Sequence, residues 1–90
     1  MSQSFREPLD VVLPSLPAWL LREYFKDLGG VELCDGWFGK DGWRARASEA
    51  ESKKLGSLHI RQVRLQLEGD PDSLEKIRPQ LELKLIRGGG

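Results

Sequence analysis

The sequence predicts an α+β domain, an antiparallel sheet carrying an N-terminal and a C-terminal helix on one face in the order β-α-β4-α. Three observations predict it. Ser15 to Leu28 places its bulky apolar residues at helical spacing and is followed by Gly29-Gly30. Short β-branched or alternating segments lie on both sides of that stretch. A glycine-bearing turn, Gly39-Lys40-Asp41-Gly42, joins two aromatic-rich segments as a hairpin.

Taken in order, Leu9-Asp10-Val11-Val12-Leu13 reads as a first strand, and the flanking Pro8 and Pro14 suit an edge. The helix follows, with Ser15 as the expected cap and Pro17 in the first turn, where a missing N–H costs nothing. At about 100° per residue, Leu16, Pro17, Leu20, Leu21, Tyr24, Phe25 and Leu28 share one half of the wheel. Trp19 falls off that stripe, beside Arg22 and Lys26. Gly29-Gly30 supplies the left-handed ending.

Val31-Glu32-Leu33 is expected as the second strand, then Trp37-Phe38 and Trp43–Ala47 as the hairpin. Ser48 to Ser57 reads as a charged loop. From Leu58 to Glu68 runs the longest strand, whose apolar parity changes between Ile60 and Val63; a bulge near Arg61-Gln62 would restore one apolar face. Asp70-Pro71-Asp72-Ser73 is a helix start, with a capping acid followed by proline. Two readings stand for residues 80–87. Leu74, Ile77, Leu81 and Leu85 have helical spacing, whereas Leu81, Leu83 and Leu85 alternate like a strand and Pro79 opposes a helix interior. The second reading gives β-α-β3-α-β.

Length and composition set the bounds. Ninety residues make one domain, expected over 9–87 between flexible ends at 1–8 and 88–90. With 14 basic and 14 acidic residues, bulk charge gives no attraction to nucleic acid or anionic lipid. No apolar run approaches the roughly 20 residues that cross a bilayer, and no basic-then-apolar leader opens the chain, so a cytoplasmic location is expected. The single cysteine, Cys34, excludes an internal disulfide.

Trp19-Leu20-Leu21 with Tyr24, then Gly29-Gly30, resembles the opening of a small domain found at the C-terminus of MoaD-related proteins. Gly56-Ser57-Leu58, Ile60, Gln62, Arg64, Glu68-Gly69 and Arg87-Gly88-Gly89-Gly90 are similar to its later landmarks. The resemblance spans about Pro14 to the end and implies a TBP-like arrangement, which favours the helical reading of 80–87. It implies no catalytic residues and a link to molybdenum-cofactor or sulfur-carrier proteins; no cofactor is expected.

The candidate sites are weighed against plain structural roles. His59 is the only histidine and Cys34 the only thiol, so neither a metal site nor a Cys–His nucleophile is expected; beside Asp35, Cys34 is expected buried or half-buried and dulled. The chain is therefore expected not to be an enzyme. Trp19 is the expected exposed contact, and Arg44, Arg46, Arg61 and Arg64 the expected polar surface of the sheet, meeting another protein rather than nucleic acid. The terminal Gly88-Gly89-Gly90 is shared with sulfur carriers but equally ends a helix. The expected function is a non-enzymatic binding or accessory domain; the alternative is a small-ligand domain whose cleft is lined by Trp37, Phe38 and Trp43.

Overall fold

A long strand near the C-terminus, β5 (Leu58–Gly69), is flanked by the first strand, β1 (Leu9–Pro14), and by β4 (Trp43–Leu55). The computed structural model describes residues 6–89, with side chains through Ile86. Strands β3 (Trp37–Lys40) and β2 (Val31–Glu32) complete an antiparallel sheet in the order β1-β5-β4-β3-β2. Helix α1 (Ala18–Asp27) links β1 to β2, and α2 (Pro71–Gly89) follows β5. The architecture is the expected α+β one, β-α-β4-α. Residues 80–87 belong to α2, which corrects the strand alternative.

Register explains the core. Leu9, Val11 and Leu13 stand opposite Leu67, Leu65 and Val63, which stand in turn opposite Ala45, Ala47 and Glu49. These positions therefore share one face. On it, Val63, Leu65, Leu67, Ala45, Ala47, Trp43 and Phe38 are buried together with Leu21 and Phe25 of α1 and Leu74 and Leu81 of α2. Both helices thus cover the same side of the sheet. Leu20, Tyr24 and Leu28 pack half-buried against this core, while Trp19 stays 62% exposed, as the wheel predicts.

The ends of α1 differ from expectation at one terminus and agree at the other. Ser15 does not cap the helix. It takes a left-handed φ of 65° and its N–H donates to the Arg61 carbonyl at 2.8 Å, prolonging the β1–β5 ladder. Pro17 is the residue before the helix, with no side-chain cap. At the other end, the Gly29 N–H reaches the Lys26 carbonyl and the Gly30 N–H reaches that of Phe25, both at 2.9 Å. With Gly29 at φ 95°, this is the double-hydrogen-bonded left-handed closure that glycine favours.

Two further expectations are corrected. Ser48 to Ser57 is no loop, since β4 continues to Leu55 and pairs with β5 almost to the tip, where Gly56 takes φ 61° in a two-residue turn. The irregularity does sit at the level of Arg61, but in β4. Ala50 faces Gln62 and Lys53 faces Ile60, so Glu51 and Ser52 together oppose Arg61. Because β5 itself keeps its alternation, Ile60 and Leu58 stay on the parity of Arg64 and do not rejoin the core face. Residues 51–59 are all exposed, a two-stranded ribbon projecting past the helices.

Asp70 starts α2 as expected. Its Oδ1 accepts the Ser73 N–H at 2.9 Å and its Oδ2 the Ser73 hydroxyl at 3.0 Å. Those bonds hold the Asp70 carboxyl below its ordinary value. Pro79 lies inside α2 on its exposed side, so the Glu75 carbonyl it leaves without an N–H partner lies toward water. The Gln80 side-chain amide donates to the Lys76 carbonyl at 2.9 Å just beyond. Gly88 and Gly89 continue the α2 backbone; Gly90 and residues 1–5 of the expected N-terminal tail lie outside the described residues.

Candidate functional site

The sheet face opposite the helices is covered by no element among the described residues. Its positions follow from register. Asp10 and Val12 of β1, Arg64, Gln66 and Glu68 of β5, Arg44, Arg46 and Ser48 of β4, Trp37 and Gly39 of β3, and Val31 of β2 share this open face. Its chemistry is unlike that of an ordinary solvated face: a tryptophan and three arginines stand beside exposed aliphatic side chains.

The centre is built on Trp37. The Arg44 guanidinium lies 4.4 Å from the Trp37 ring centroid, and that of Arg46 lies 5.9 Å away. At such distances the ring quadrupole attracts the cations. Arg44 is held there by Glu68, whose Oε1 accepts from both Nε and Nη2. Toward β1, Arg64 donates from Nε and Nη2 to the two oxygens of Asp10, at 3.0 and 2.7 Å. That two-pronged bond lowers the Asp10 pKa below its ordinary value and raises that of Arg64. Arg46 is half-buried between these pairs and has no salt bridge among the described residues.

A depression of about 330 Å³ adjoins this cluster, lined by Leu33, Lys40, Trp43, Arg44, Glu68 and the glycines of the adjoining turns. Gly42 and Gly69 contribute no side chain to its wall. Val31 and Leu33 beside it are 62% and 44% exposed. A second hollow, about 470 Å³, lies on the helix side between Trp19, Arg22, Glu23 and Lys26 of α1 and Glu32 and Phe38 of the sheet.

The structure brings together part of what the sequence picked out. Arg44, Arg46 and Arg64 share the open face. Arg61 does not, because its odd position in β5 puts it on the other parity, exposed beside the bulge. Trp19 lines the helix-side hollow and is separate from the arginines. The aromatic trio is divided as well: Phe38 and Trp43 are buried in the core, whereas Trp37 stands opposite Arg46 on the open face, so the three do not line one cleft. Cys34 is exposed, not buried, in a short turn at 34–36 where Asp35 takes φ 58°. His59 sits near the tip of the ribbon, and no group of three or more metal-ligating side chains is gathered among the described residues.

Sequence reasoning missed Asp10, Val31 and Leu33. The signal for them lies in pairing: only when β2 is aligned so that Val31 meets Gly39 does its parity join that of Trp37. No helix of the described residues is long and apolar enough to cross a membrane. Residues 11–90 match the model of one protein family, described as archaeal MoaD-like protein. No curated protein matches the chain.

Proposed function

Because the chain belongs to the archaeal MoaD-like family, we propose that it is a non-enzymatic accessory domain that binds another protein of the molybdenum-cofactor or sulfur-transfer machinery. The observation that carries this reading is the open face, where Trp37, Arg44 and Arg46 cluster beside exposed Val31 and Leu33. Tryptophan and arginine set among exposed aliphatic residues have the composition of interface hot spots. Nucleic acid fits less well. The Trp37 ring already carries a guanidinium on one face, and Glu68 and Asp10 already neutralise two of the three arginines a phosphate backbone would need.

The family match is consistent with the link to molybdenum-cofactor or sulfur-carrier proteins. The element order β-α-β4-α supports a finer reading, that the unit is the TBP-like C-terminal domain of MoaD-related proteins. Bio-layer interferometry against the purified molybdopterin synthase large subunit and the sulfur-carrier adenylating enzyme of the same genome tests the proposal. Saturable binding to one of them, weakened roughly tenfold or more by Trp37→Ala, is expected. Absence of binding to both overturns it.

A further inference from the structure

We infer that the open face receives an extended acidic segment of its protein partner, seating one carboxylate on Arg46 and a nearby apolar side chain in the depression beside Leu33. This rests on the protein-binding reading above and adds the chemistry of the segment bound.

Charge on the face is nearly but not fully matched. Arg44 has Glu68 and Arg64 has Asp10, while Arg46 between them has no carboxylate. Three guanidiniums against two carboxylates leave one positive charge over, at a half-buried residue already stripped of part of its water. A guanidinium in that state gains more from an incoming carboxylate than a fully hydrated one would. Opposite Arg46 in the register stand Gln66, which offers a further amide donor, and Trp37, beside whose ring the guanidinium lies. A partner carboxylate would complete a third ion pair in line with the two present.

The shape of the segment follows from the strand beneath it. Arg46 and the depression at the level of Gly42-Trp43 are three or four residues apart along β4. That is roughly 10–13 Å at the rise of a strand, which an extended segment spans in the same number of residues. The depression is mainly apolar at Leu33 and Trp43 and is rimmed by Lys40 and Arg44, so an aliphatic side chain flanked by acids suits it.

The test uses the whole ¹⁵N-labelled chain titrated with a short oligoglutamate peptide carrying one central leucine, followed by amide and indole NMR shifts. Saturable shifts are expected at the Trp37 indole N–H and the Leu33 and Arg46 amides, with affinity falling as salt is added. Arg46→Gln, whose spectrum should remain dispersed because the side chain lies on the surface of the sheet, is expected to weaken binding about tenfold. Arg22→Gln, on the helix side, should leave it unchanged. Equal affinity in Arg46→Gln, no shifts at low salt, or tighter binding of an oligothymidylate of matched length overturns the inference. If the peptide fails while the full-length protein partner still binds, only this inference falls; if both fail, the protein-binding reading falls with it.

Discussion

The Arg64 guanidinium grips Asp10 with two parallel hydrogen bonds, Nε to Oδ1 at 3.0 Å and Nη2 to Oδ2 at 2.7 Å, and so ties the first strand to the last across the open face. Both side chains are about half exposed, so screening keeps the energy modest. The pairing nevertheless has a definite sign with pH. Asp10 is held below its ordinary value of 3.8, so its contribution is complete above that range and is lost as pH falls through the lowered value. Urea midpoints taken from about pH 5 down to about pH 2 should fall less steeply in Asp10→Asn than in the parent chain. Identical slopes would show that the grip does not persist in solution.

Trp37 is shielded by Arg44 in this arrangement, and fluorescence can read that directly. In a Trp19→Phe background, the remaining emitters are Trp37 and the buried Trp43. Arg44→Ala should then raise acrylamide quenching and shift emission to the red, because the uncovered ring meets water. Unchanged quenching would place the guanidinium elsewhere in solution.

Two glycines should respond to alanine for different reasons. Gly36 has φ 80° and nothing within reach of an added methyl group, so Gly36→Ala should cost about 1 kcal/mol of backbone strain. Gly30 has no left-handed φ, yet a Cβ there would lie 2.9 Å from the Phe25 carbonyl oxygen and 3.0 Å from the Trp43 ring. Neither neighbour is a flexible side-chain end, so Gly30→Ala should cost more, about 3 kcal/mol. Chemical denaturation of the two variants compares them.

The projecting ribbon should open independently of the body. Residues 51–59 are exposed on both faces and bury no apolar side chain, whereas Ala45, Ala47, Leu65 and Leu67 lie under the helices. Hydrogen exchange should show the amides of 53–60 exchanging well before those of 43–49 and 63–67. Uniform protection along β4 and β5 would contradict this.

What could be read from the chain divides along physical lines. The α1 stripe was legible because Leu21 and Phe25 are four residues apart on one face and the same face is the buried one. Residues 80–87 were not, since Leu81 and Leu85 continue the helical spacing of Leu74 and Ile77 and, together with Leu83, also alternate like a strand. Packing decides in favour of the helix: Leu74 and Leu81, two turns apart, are fully buried, and Leu83 is left 51% exposed. The ribbon was illegible for another reason. Glu51, Lys53 and Lys54 show no apolar alternation because neither face of that segment has a core to meet, and its strand form depends on pairing with β5 across the Gly56-Ser57 turn. The open face was half legible. Alternation put Arg44 and Arg46 together, but the side taken by Trp37 and Arg61 depends on register and on which strand holds the bulge.

One junction links distant parts of the chain. The Asp70 N–H donates to the Gly42 carbonyl at 2.9 Å, and a side chain at Gly42 would run into Ser73 and the Asp70 carboxylate. The bend between β3 and β4 is thereby the bearing on which the first turn of α2 is seated. Lengthening or restyling that bend would tilt the whole closing helix, so a loop that looks free to vary at the rim is in fact one that fixes the lid of the core.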